Sequence, residues 1–118
     1  MTKREYIFYL EDMILSIEKI IKYVQNIDFE SFSNNDMMVD AVIRNFEIIG
    51  EASNNIPTEI QIKYPNIPWT KMYRLRNIVV HHYHGIDYEM IWEIIKNQLP
   101  QNYKDLQILI DIERNNLK

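Results

Sequence analysis

The stretch DMMVDAVIRNFEIIGEASN, Asp36–Asn54, decides how this chain folds. Val39, Val42, Ile43, Phe46, Ile49 and Ala52-Ser53 recur at three- and four-residue spacing, which places them on one face of a helix. Gly50 stands inside that pattern. Glycine costs a helix interior about 1 kcal/mol relative to alanine, so it points to a close helix–helix approach there. Arg44, Glu47 and Glu51 form a polar cluster near one other face, at i, i+3 and i+4 separations. Two readings of that cluster stand. It pairs with itself for structure, or it abuts a basic segment and holds Arg74 or Arg76 in place.

The flanking sequence continues the helical pattern. Thr2 to Asn26 reads as a long helix, with Thr2 and Glu5 in capping-box spacing and a stripe of Ile7, Leu10, Ile14, Ile17, Ile21 and Val24. Asp28 to Asn35 is polar and turn-like. Pro57, Pro65 and Pro68 mark a connector, with one helical turn around Thr58 to Lys63. A third helix is expected from Thr70 to His82, ended or bent by Gly85. A fourth starts at the N-cap Asp87 and carries Met90, Ile91, Ile94, Ile95 and Leu99. Pro100 should break or kink it, and a last helix runs from Pro100 to Asn115. The chain has two glycines and four prolines, fewer turn residues than a mostly β chain of this size needs. The expected architecture is an all-α, up-and-down bundle of four to five helices. Ile20, Ile48, Trp69 and Met72 fall off the stripes, and such surplus apolar surface points to a homodimer.

Composition narrows the function classes. The 118 residues fit one domain, and 47% are hydrophobic, enough to bury a core. There is no cysteine, which excludes a disulfide framework, a thiolate metal site and a cysteine nucleophile. No apolar run approaches the roughly 18 residues of a membrane span, and charges interrupt the N-terminal region before a signal-peptide core. The expected location is cytoplasmic. Net charge is −4, which argues against a bulk nucleic-acid binder. Its distribution says more. From Ile60 to Ile86 there is no Asp or Glu, while Lys63, Lys71, Arg74 and Arg76 contribute +4 and the rest of the chain therefore −8. An acidic body with one basic segment fits a single anion-facing site.

All three histidines, His81, His82 and His84, fall in that segment. Histidine gives and takes protons near neutrality. Arginine stays charged and grips phosphate bidentately. Together they can cleave RNA without a metal or cofactor: a histidine moves a proton at the 2′-hydroxyl or the leaving 5′-oxygen, and arginine stabilises the charge on the transition state. Three other readings exist. The His-rich run can cap a helix end, Tyr83 can be half-buried packing, and the histidines can hold a metal. Adjacent histidines diverge on a helix, and no HExxH pair is present, so no metal site is assigned. Geometry also constrains the nuclease reading. Arg76 and His81 point roughly 140° apart on a regular helix. They converge if the arginine curls around, if the helix unwinds near Gly85, or if a second protomer completes the site. Unwinding combined with a second protomer is the expected arrangement.

These residues resemble those of a known family. Arg76-Asn77, then His81 and Tyr83, follow the R-x4-H-x-Y pattern of HepT-like proteins in the HEPN superfamily. Val42 to Ala52 resembles that family's R-x-x-E-x-I-G-E-A helix, and Pro68-Trp69, Tyr83 to Asp87, Trp92 and Leu99-Pro100 match its style. The resemblance covers nearly the whole chain. It implies one HepT-like HEPN domain over 1–118, a homodimer, and a toxin ribonuclease of a two-gene toxin–antitoxin system. Arg76 and His81 would be the catalytic pair, with Asn77, Arg44, Glu47 and Glu51 supporting. The partner would be an MntA-like minimal nucleotidyltransferase antitoxin, which silences the nuclease by adding AMP to Tyr83. The family often has another residue at the place of His82 and an aromatic at His84, so neither is given a role. A competing reading is a non-catalytic helical dimer that binds a nucleotide or the nucleotidyltransferase. A purely structural dimer is the third.

Overall fold

The computed structural model describes residues 3–78 and 85–117. The proposed Thr2 cap, Val79 and Val80, the three histidines and Tyr83 lie outside them. All regular structure among the described residues is helical. Three long rods carry the fold: α1 (Lys3–Tyr23), α3 (Asp36–Asn54) and α7 (Leu99–Asn116). Short helices join them: α2 (Phe29–Ser33), α4 (Thr58–Lys63), α5 (Trp69–Arg74) and α6 (Tyr88–Glu93). α1 packs along both α3 and α7, and α3 packs against α5 and the turn that follows it. The fold is an all-α helical bundle, as expected.

α3 spans the range read from its sequence, Asp36–Asn54, and the Asn35 side chain caps it by accepting from the Met38 amide at 3.0 Å. Val39, Val42, Phe46 and Ile49 are buried. α1 is less faithful to its stripe. Ile21 is exposed while Ile20 and Met13 are fully buried. The buried arc is turned by about 40° from the expected stripe, because α1 lies between two helices rather than against one. Trp69 and Met72 are also buried. The surplus apolar residues that suggested a dimer therefore mostly complete the chain's own core.

Three further expectations are corrected. Residues Asp28 to Asn35 contain the short helix α2, capped by Asp28 accepting from the Ser31 amide at 2.8 Å. Its Phe32 is fully buried and meets Trp92 at 5.2 Å between ring centroids. A polar composition concealed one apolar anchor. The expected third helix is α-helical from Trp69 to Arg74 and tightens into a 3-10 turn over Leu75–Asn77, while the last part of its expected course, 79–82, lies outside the described residues. Gly85 itself has φ +108°, a backbone conformation that no α-helix holds. Finally, of the break or kink expected at Pro100, the break is not seen: the last two helices are joined through a local departure from the α-helical course. A π-turn, Ile94–Gln98, connects α6 directly to α7. A proline ring clashes with the carbonyl four residues earlier in a regular helix, and the wider π-turn supplies the room. Asp87 does cap α6, accepting from the Met90 amide at 3.0 Å.

Candidate functional site

The site is built on the crossing of α3 with α5. A Cβ added at Gly50 would lie 2.7 Å from the Arg76 Cβ and 2.8 Å from both the Arg76 nitrogen and the Tyr73 carbonyl oxygen. No side chain larger than hydrogen fits, so glycine is what lets the Leu75–Asn77 turn rest on α3. The connector before α5 is fixed independently. Trp69 Nε1 donates to the Tyr64 carbonyl at 3.0 Å, and the Ser53 hydroxyl donates to the Trp69 carbonyl at 3.3 Å.

Arg76 leaves this crossing and enters a cleft of about 470 Å³ between α1, α3 and the turn. One guanidinium nitrogen donates to Glu51 Oε1 at 2.5 Å. The other terminal nitrogen donates to the Tyr73 hydroxyl. The guanidinium carbon also lies 4.3 Å from the centroid of the Tyr73 ring. The Arg76 side chain is 28% exposed, whereas Glu51 is 60% exposed. Arg44 pairs with Glu47 at 3.2 Å on the open rim. Asn77 also lines the cleft.

The structure thus brings Arg44, Glu47, Glu51, Arg76 and Asn77 into one cleft. Both readings of the α3 polar cluster are partly right: Arg44 and Glu47 pair with each other, and Glu51 reaches across to Arg76. Arg74 is exposed and does not line the cleft. His81 and Tyr83 lie outside the described residues, so their approach to Arg76 does too. Among the described residues, no group of three or more His, Asp or Glu side chains is placed to hold a metal ion. None of the described helices is long and apolar enough to cross a membrane. Sequence reasoning missed Tyr73, although its i, i+3 spacing to Arg76 is a readable signal. It also missed Tyr9 and Asp12, which line the α1 wall of the cleft. No sequence signal says which flank of α1 faces α3.

A second polar cluster lies elsewhere, where α7 meets α1 and α4. Glu113 is buried, at 3% exposure. It accepts from the Tyr6 hydroxyl at 2.7 Å, the Tyr64 hydroxyl at 2.5 Å and Lys63 Nζ at 2.9 Å. Burial pushes its carboxyl up, but the hydrogen bonds from Lys63, Tyr64 and Tyr6 outweigh that and leave it below the ordinary carboxylate value. Burial, then the bond to Glu113, pushes the Tyr64 phenol up to about 12. The same causes raise Tyr6 further.

Comparison with known proteins places this arrangement. The model of the family described as ribonuclease HepT-like matches residues 13–109. The chain belongs to that ribonuclease family. Among similar proteins, one from Methanocaldococcus jannaschii is 43% identical over 109 residues, covering 92% of this chain and 100% of its own. One from Caldanaerobacter subterraneus subsp. tengcongensis is 34% identical over 106 residues, covering 90% and 95%. Both are named "Putative RNase". A third, from Thermococcus cleftensis, is named "Probable ribonuclease HepT" and is 42% identical over 98 residues, covering 83% and 89%. No solved structure matches the chain.

Proposed function

We propose that this chain is a metal-independent endoribonuclease acting in the cytoplasm as the toxin of a HepT/MntA-type pair, with Arg76 and His81 as its catalytic residues. The observation that carries the reading is Arg76 itself. It is half-buried, held in a defined direction by its neighbours, and opens into a cleft whose other charged lining residues are Arg44, Asp12, Glu47 and Glu51. Such a guanidinium is suited to bind a phosphodiester and to stabilise the charge that grows on its non-bridging oxygens. In the reaction, the 2′-oxygen attacks the adjacent phosphorus and forms the new O–P bond. The P–O5′ bond breaks, leaving a 2′,3′-cyclic phosphate and a 5′-hydroxyl. His81 takes the 2′-hydroxyl proton or gives a proton to the departing 5′-oxygen, and water carries the other transfer, so that one proton leaves O2′ and one reaches O5′. Asn77, Arg44, Glu47 and Glu51 support the site.

Domain 1–118 works as a homodimer in this reading, which lets a second copy complete the cleft. Phe8 and Leu15 are exposed on α1, within about 60° of the cleft residue Asp12 by helical angle, and are apolar residues such a copy would cover. The regulatory partner is an MntA-like nucleotidyltransferase that adds AMP to Tyr83, bringing a negative phosphate to the same anion site.

The test is digestion of a defined RNA by wild type, Arg76→Ala and His81→Ala, with and without EDTA. Cleavage that survives EDTA and is lost in both variants is the expected result. Activity lost only on chelation overturns the metal-independent mechanism. Stoichiometric RNA or nucleotide binding without turnover replaces the enzyme by a binding dimer. For the switch, Tyr83→Phe should remain toxic in the presence of the nucleotidyltransferase; silencing of that variant refutes AMP addition at Tyr83.

A further inference from the structure

We propose that Tyr73 is a positioning residue for the anion site, holding the Arg76 guanidinium in place when a phosphate displaces Glu51. The inference rests on the reading of Arg76 as the phosphate clamp. Arg76 is held from two sides that differ in kind. Glu51 takes one terminal nitrogen at the solvent-facing side and is itself mostly exposed. Tyr73 takes the other nitrogen with its hydroxyl and offers its ring face to the guanidinium carbon. Tyr73 does not line the cleft. An incoming phosphate therefore meets Arg76 and Glu51 but not Tyr73.

An anionic ligand competes with the Glu51 carboxylate, because both seek the same charged donor. It does not compete with the tyrosine ring, which binds the cation through its face. Losing Glu51 alone would free a long, flexible side chain to explore its rotamers. The stack and the hydroxyl contact keep that freedom small, so the bound geometry is already present before the phosphate arrives. Gly50 sets the backbone of residues 73 and 76 on α3, and Tyr73 sets the end of the Arg76 side chain. The two together define one direction.

The experiment is a double-mutant cycle on the full chain. Tyr73→Leu and Tyr73→Phe are each made in the wild-type and Arg76→Ala backgrounds. Two readouts are taken: RNA cleavage (kcat and KM separately) and binding of a 2′-deoxy oligonucleotide, which lacks the attacking hydroxyl. Tyr73→Leu is expected to lower kcat by about tenfold and to weaken oligonucleotide binding by about threefold to tenfold. Tyr73→Phe keeps the ring face and should stay within about threefold of wild type, with the loss in kcat. In the Arg76→Ala background neither substitution should have any further effect on binding. A structural role alone would cost the same in both backgrounds, and such additivity overturns the proposal, as does a wild-type level in the leucine variant. If the leucine variant does not fold, Tyr73→Met, which also removes the ring face, carries the same binding cycle with the same expected loss. Wild type that binds the oligonucleotide through Arg76 yet cuts no RNA ends the nuclease reading, while the binding cycle still decides the role of Tyr73. Wild type that does neither overturns both.

Discussion

Two clusters in this bundle are made of nearly the same parts. At one, Glu113 receives two tyrosine hydroxyls and a lysine. At the other, Arg76 meets one tyrosine and one glutamate. They differ in which member is buried. Glu113 is enclosed, and every partner points at it from α1, α4 or its C-cap, so the carboxylate ties three elements together. In the cleft the carboxylate is the exposed member and the cation is the sheltered one. A buried charge cannot change partners without a large desolvation cost. An exposed one can, because water takes its place. The first cluster is built to stay closed and the second to exchange.

Substitutions can break or sharpen this contrast. Glu113→Ala removes the hub of the closed cluster and should destabilise the fold by about 2–4 kcal/mol in urea titration, because the Tyr6 and Tyr64 hydroxyls lose their charged acceptor while the half-exposed Lys63 can rehydrate. The folded fraction should keep its kcat. A matching loss at Glu51→Ala would break the contrast. The closed cluster also has a sign with pH. The Glu113 carboxyl lies below its ordinary value, so its contribution is present above the unfolded carboxylate pKa and is lost as pH falls through the folded one. The Tyr64 phenol is raised to about 12, so its contribution is complete below the unfolded value near 10 and is lost as pH rises through about 12. The stability gap between wild type and Glu113→Ala should therefore form a plateau from about pH 5 to about pH 9, and a gap that widens in acid contradicts it.

Gly50→Ala comes next. Its new methyl would press on backbone atoms of residues 73 and 76, which predicts about 1–3 kcal/mol of destabilisation. RNA cleavage should fall by more than this stability loss explains, because the turn carrying Arg76 must move. A stability loss without an activity loss would show that the crossing serves the core alone. Smallest is Glu51→Gln, which keeps shape and removes one exposed charge. Its effect on thermal unfolding should be under about 1 kcal/mol, while 2′-deoxy oligonucleotide binding tightens by a few-fold. Weaker binding in this variant would mean that Glu51 orients Arg76 rather than competing for it.

Much of this was legible in the sequence. Asp36–Asn54 emerged with the boundaries its periodicity implies, and Gly50 announced the close approach because glycine has no other reason to interrupt that stripe. Charge and spacing singled out Arg76 and the α3 polar face, and the family resemblance added Asn77; all of them line one cleft. Other features were hidden for definite reasons. Helical wheels give one face, but α1 serves two neighbours, so Ile20 and Ile21 exchanged places. Proline reads as a break, yet a π-turn absorbed Pro100. The Glu113 cluster joins residues 6, 64 and 113, and no local pattern connects positions so distant. Tyr73 was overlooked although its spacing marks it as a neighbour of Arg76, because spacing does not say which way the arginine points.

The contact at Gly50 also has a thermal consequence. Arg76 points where it does because α3 and the Leu75–Asn77 turn touch without slack. Local openings of a fold cost less free energy than global unfolding and occur at lower temperature. A slight parting of these two elements would misdirect the guanidinium while the core around Phe46 and Met72 stayed shut. RNA cleavage is therefore expected to fall at a lower temperature than the one at which the core unfolds, which activity and circular dichroism followed over one temperature ramp would check.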